Sequence, residues 1–303
     1  MLETDALRED GRCMSTVPVE HGCSFVHDGH RLVYDVYGEG DQVVVYLHGL
    51  LLDSELNRGI AQALAEQGNR VVLLDLLGHG RSDKPTHATQ YRIDSYAEQV
   101  VGVLDHLGLE QAVLGGISLG ANVSLFAATR HPDRVRALVL EMPVLERAVP
   151  AAALLFAPMI LLAHYGRRLL GLTSSLVARM PRTPFGPLNS VLNSASLPPD
   201  TMAAVLHGVL VGPVAPTQEQ RRAITAPTLV LAHSNDLIHP FDDATTLVEQ
   251  LPRGALVRAH SPLELRLRPH RLTHEIVTFV GGLPPAITRA RPVRRSRAVG
   301  AGP

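Results

Sequence analysis

Residues 111–131, QAVLGGISLGANVSLFAATRH, decide how the rest of the chain is read. Ala112-Val113-Leu114 is an apolar run that passes through Gly115-Gly116-Ile117-Ser118-Leu119-Gly120 into a stretch whose apolar positions recur at helical spacing. The order is therefore strand, sharp turn, helix. Gly116 and Gly120 flank the serine because so tight a turn leaves no room for a Cβ at either position. Ser118 then stands at the carboxyl end of a strand and the amino end of a helix, where backbone N–H groups and the helix dipole favour developing negative charge. The alternative, a small-residue packing turn, does not require a hydroxyl at the tip.

The surrounding pattern supplies a scaffold for such a serine. Residues 42–47 and 71–75 are continuous apolar, β-branched runs, the pattern of parallel strands covered on both faces. They leave through His48-Gly49-Leu50 and through Gly78-His79-Gly80-Arg81-Ser82, and helical spacing follows over 59–67 and 93–107. Residues 22–27 and 31–37 read as a hairpin turning at Asp28-Gly29. With a further strand at 135–140, the first half is a mostly parallel α/β sheet. From 143 to 226 the β pattern stops, and apolar helical stretches over 151–165, 167–180 and 201–211 alternate with prolines, as expected for a helical insertion. Strand and helix resume at 228–232, 242–250, 255–259 and 271–280.

A serine hydroxyl is a poor nucleophile near neutral pH unless an imidazole takes its proton and a carboxylate orients the imidazole. Asp236 follows the 228–232 strand and is the expected acid, against the alternative of a capping aspartate. The Leu119 N–H, directly after the nucleophile, and the Leu50 N–H, in the loop after the 42–47 strand, are the expected oxyanion donors. His48 reads as a structural hydrogen-bonding residue rather than a base.

His48-Gly49, Asp75 with Gly78-His79-Gly80-Arg81-Ser82, the Gly116–Gly120 elbow and Asp236 together resemble the α/β-hydrolase superfamily, in the branch with a helical cap inserted after the sixth strand. The resemblance covers residues 22–282. It implies the chain order nucleophile, acid, histidine, with the histidine after the last strand, preceded by glycine and followed by a proline and a helix. In this chain that segment reads Ala259-His260-Ser261-Pro262, and the position aligning with the family histidine is Pro262, while the following proline matches Pro269. His260 is the expected base, with His239, close to Asp236, and His270 and His274, on the last helix, as rivals. A serine at the elbow separates the chain from the haloalkane dehalogenase and epoxide hydrolase branches, which carry aspartate there.

The expected organisation is an unstructured segment over 1–20, a core over 21–142 and 227–282, a cap over 143–226 and an unstructured Arg/Pro-rich tail over 283–303. A net charge of −1 and a pI near 7.0 give no reason to expect a nucleic-acid partner. The first twenty residues lack the apolar run of a secretory signal, Met14 is a candidate start, and Cys13 and Cys23 read as free thiols, so a cytoplasmic protein is expected. Residues 151–163 are apolar but short and interrupted by Pro158, which argues against stable membrane insertion. The expectation is a monomeric or homodimeric serine hydrolase, without metal or organic cofactor, that cleaves an ester, thioester or lactone of a lipophilic small molecule. Without a histidine that reaches Ser118, the alternatives are a lyase, cyclase or acyltransferase, or a non-catalytic binding member.

Overall fold

A computed structural model of the chain describes residues 17–284 apart from Asn235 and Leu237. The readings made for Cys13, Met14 and the arginines beyond 284 lie outside the described residues. Among the described residues eight strands form one sheet: β1 (Val19–His27), β2 (His30–Tyr37), β3 (Val43–Leu47), β4 (Arg70–Asp75), β5 (Ala112–Ile117), β6 (Val135–Glu141), β7 (Thr228–Ala232) and β8 (Gly254–Arg258). Their order is β1-β2-β4-β3-β5-β6-β7-β8, antiparallel from β1 to β4 and parallel from there on. β1 begins at Val19, inside the segment expected to be unstructured. The β1–β2 turn has Asp28 at φ 48° and Gly29 at φ 80°, the pair of left-handed residues that a two-residue hairpin of right-twisted strands requires.

Among the described residues the helices are α1 (Arg58–Glu66), α2 (Ile93–His106), α3 (Leu119–Arg130), α4 (Val149–Tyr165), α5 (Arg167–Ala178), α6 (Gly186–Ala195), α7 (Pro199–Val211), α8 (Gln218–Arg222), α9 (Phe241–Gln250), α10 (Glu264–Leu267) and α11 (His270–Gly281). Alternate residues of the parallel strands feed two cores. Val45, Leu47, Leu114, Leu138 and Val230 pack with α2, α3 and α9 on one face. Val44, Tyr46, Val113, Val139 and Leu229 pack with α1 and α11 on the other. Both faces of β3, β5 and β7 are buried, as their unbroken apolar runs predict, whereas the edge strand β8 is half-exposed.

Helices α4 to α8 occupy the insertion between β6 and β7. Two of the prolines that alternate with the helical stretches, Pro187 and Pro199, lie in the first turns of α6 and α7, where a missing N–H costs nothing. The insertion is tied to the core at both ends by one side chain. Asn122, on α3, accepts from Val144 N–H at 3.0 Å and donates to Val144 C=O at 2.7 Å and Val214 C=O at 2.6 Å. The buried Asp243 carboxylate on α9 accepts the N–H groups of Leu145, Arg147 and Ala148 just before α4. No single described helix is long and apolar enough to cross a membrane.

Candidate active site

The turn between β5 and α3 has the geometry expected of it. Ser118 sits at φ 53°, ψ −108°, a conformation that costs a non-glycine residue on the order of 1–3 kcal/mol and persists only where its surroundings enforce it. The enforcement is steric. A Cβ on Gly116 would lie 2.6 Å from Leu47 O, and one on Gly120 would lie 2.7 Å from both Leu47 O and Leu47 Cβ. Ser118 N–H donates to Glu141 C=O at 2.8 Å, which fixes the elbow to the end of β6.

The base is His239. Its Nε2 lies 2.9 Å from Ser118 Oγ and its Nδ1 lies 2.8 Å from Asp236 Oδ2. The hydrogen bond from His239 holds the Asp236 carboxyl well below its ordinary range, against burial that pushes it up, and the N–H groups of Ile238 and His239 add to the effect. An ionised carboxylate only accepts, so Nδ1 carries the ring proton and Nε2 presents its lone pair to the serine hydroxyl. Asp236 therefore orients both the ring and the backbone of the residue three positions on. Oδ2 also accepts from Nε2 of the buried His233 at 3.2 Å, a second partner that the sequence reading missed.

His260 does not reach the serine. Its side chain is 78% exposed, its N–H donates to Glu264 Oε2 at 2.5 Å, and its Nδ1 is 3.5 Å from that same oxygen. Glu264 also receives Arg271 Nε at 2.8 Å, so the chain leaving β8 is held at the sheet edge. Arg266 from the same loop turns inward instead. Its guanidinium is buried against Glu141 at 2.9 and 3.1 Å and Asn57 Oδ1 at 3.0 Å, and Tyr46 Oη donates to Glu141 at 3.3 Å. The segment expected to deliver the base thus delivers a structural ion pair behind the elbow. The rivals His270 and His274 lie on α11, and both are exposed. The useful sequence signal was the Asp236–His239 spacing, which one turn of chain can close on itself.

The Ser118 hydroxyl opens into a cavity of about 280 Å³. Leu50, Leu52, Ile117 and Leu119 line its floor, Ala152, Leu155 and Phe156 of α4 and Val209 and Leu210 of α7 line its roof, and among the described residues no Asp, Glu, Lys or Arg side chain borders it. Leu50 lies in a turn closed by Leu52 N–H to Gly49 C=O at 3.1 Å, with Leu51 at φ 62°. His48 is buried beneath this turn, accepting Leu76 N–H at Nε2 (3.0 Å) and donating from Nδ1 to Gly49 C=O (2.8 Å). Burial pushes its pKa down, in keeping with a neutral brace. Asp75 completes the scaffold by accepting Ser54 N–H and the Arg81 guanidinium, and a Cβ on Gly80 would meet its carboxylate at 2.4 Å.

Comparison with known proteins bears on this geometry. Residues 42–259 match the family model described as alpha/beta hydrolase fold. The chain belongs to the alpha/beta hydrolase family. Among its curated relatives, a 2-hydroxymuconate semialdehyde hydrolase of Pseudomonas sp. (strain CF600) is 40% identical to this alpha/beta hydrolase over 105 residues, 35% of the present chain and 34% of the relative. A haloalkane dehalogenase of Mycolicibacterium paratuberculosis is 37% identical over 112 residues, 36% and 37% of the two chains. These matches span little more than a third of the relatives' lengths. The enol-lactonase structure from Burkholderia xenovorans LB400 superposes on the fold of this alpha/beta hydrolase with a TM-score of 0.69 at 20% identity, covering 86% of the chain and 100% of the lactonase.

Proposed function

We propose that this alpha/beta hydrolase is a serine hydrolase that cleaves an ester, thioester or lactone of a lipophilic small molecule through an acyl-enzyme. The observation that carries the reading is the continuous relay from Ser118 Oγ through His239 to Asp236, at 2.9 and 2.8 Å. In this reading His239 Nε2 removes the hydroxyl proton as Oγ bonds to the acyl carbon, and Asp236 stabilises the imidazolium formed. The Leu50 and Leu119 N–H groups, on the cavity floor, would hold the carbonyl oxygen as it becomes an oxyanion. Collapse expels the leaving alcohol, thiol or, in a lactone, the tethered alkoxide, which takes the proton from His239. Water activated by the same imidazole then releases the acid.

The uncharged cavity supports an apolar acyl group. A serine at the elbow supports acyl transfer rather than the halide displacement named for the dehalogenase relative. The lyase, cyclase, acyltransferase and binding alternatives rested on a serine without a base, and His239 removes that motive. Labelling with a fluorophosphonate followed by peptide mapping tests the proposal. The label is expected on Ser118 and lost in Ser118→Ala with the fold intact, and equal labelling of that variant would overturn it.

A further inference from the structure

We propose that the α4–α5 corner docks this protein peripherally on an anionic lipid bilayer. α4 packs on the core through Phe156, Met159 and Ile160 and buries only Ala163 fully, while its other side leaves Leu154 76%, Leu161 57%, Leu162 50% and Tyr165 81% exposed. On α5, Leu169, Leu172 and Leu176 recur at i, i+3 and i+7 and continue to Met180, an exposed stripe of large apolar side chains whose opposite side packs through Ser174. A single exposed leucine needs no explanation, but two consecutive helices presenting such faces mark an interaction surface.

The charge on this surface selects the occupant. Residues 148–196 hold Arg167, Arg168, Arg179 and Arg182 and no Asp, Glu or Lys. Arg167 pairs with Asp200, whereas Arg168 and Arg179 stand exposed beside the leucine stripe. A second copy seated on this face would bring arginine against arginine with no acid from either segment. Lipid phosphate meets the same pattern with the opposite sign. The geometry argues for lying on the bilayer rather than crossing it, because α4 and α5 meet at 97° and neither is long enough to span. The inference does not depend on the hydrolytic reading, since it concerns adsorption alone.

The chain contains no tryptophan, so Leu172→Trp places a single tryptophan, excited selectively over the six tyrosines, in the centre of the stripe. With the full-length protein, its emission is expected to shift to the blue on adding phosphatidylcholine vesicles that contain phosphatidylglycerol, and less with phosphatidylcholine alone. In vesicle sedimentation, Leu172→Glu with Leu176→Glu is expected to lower partitioning about tenfold or more, and Arg168→Gln and Arg179→Gln roughly fivefold each at low salt. Circular dichroism of each variant checks that the fold is retained. Absence of a blue shift overturns the proposal. Vesicle binding that the paired glutamates leave unchanged also overturns it, because adsorption would then lie elsewhere. So does a dimer in sedimentation equilibrium that those glutamates dissociate without any lipid binding.

Discussion

His239→Ala and His260→Ala give opposite outcomes if the relay is the one described. His239 Nε2 is 2.9 Å from the serine hydroxyl, within the range for proton transfer, and its Nδ1 proton is fixed by Asp236. Removing a general base so placed costs about 10²–10⁴ in rate, and removing one member of a triad acting as a unit costs more. We therefore expect kcat for a p-nitrophenyl ester to fall at least about a thousandfold in His239→Ala, equivalent to roughly 4 kcal/mol of transition-state stabilisation. Fluorophosphonate labelling should fall in parallel. In His260→Ala only an exposed ring 3.5 Å from Glu264 is lost, and the backbone hydrogen bond to that carboxylate remains. Its kcat should stay within about twofold and its stability within about 0.5 kcal/mol. Full activity in His239→Ala, or a hundredfold loss in His260→Ala, would refute the reasoning.

Three further outcomes follow from the same geometry. The Asp236 carboxyl titrates below its unfolded value of 3.8, so its ionised form stabilises the fold above that pH and the contribution is lost as pH falls toward the folded value; the stability gap between wild type and Asp236→Asn, read by urea unfolding, should narrow below pH 3.8. Arg266→Ala leaves Glu141 buried and unpaired, and should destabilise the protein by about 3–5 kcal/mol in the same assay, whereas Arg266→Met with Glu141→Gln should recover part of the loss. Across a p-nitrophenyl ester series, kcat/KM should rise with acyl length until the cavity of about 280 Å³ is filled, and a preference for acetate would contradict the apolar pocket.

Much of the fold was legible because its signals are local. The elbow needs only two glycines around a serine between a strand and a helix, and the parallel strands announce themselves by apolar runs. The place of Asp236 was legible for the same reason, since it stands just past a buried strand. Which histidine reaches Ser118 was not, because two loops carry histidines and the resemblance directs attention to the one after β8. What decides between them is the pair of contacts that turn the β8 loop aside, Glu264 with His260 and Arg266 with Glu141. The second joins residues separated by 125 positions, beyond the reach of any local pattern. α6 was missed because a proline in a first helical turn reads in sequence like a proline that ends a helix.

Carrying Asp236 and His239 on one turn leaves the sheet edge out of the contacts around Ser118. Among the described residues β8 pairs with β7 alone, and it is half-exposed, the kind of segment that opens locally and exchanges its amide protons early. Were the histidine to follow β8, each such opening would interrupt proton transfer. Here both partners of the serine lie beside the interior strand β7, so fluctuations of the outer edge leave the relay assembled. The exposed His260–Leu263 segment can then absorb insertions, while a single added residue between Asp236 and His239 would turn the imidazole away from its carboxylate.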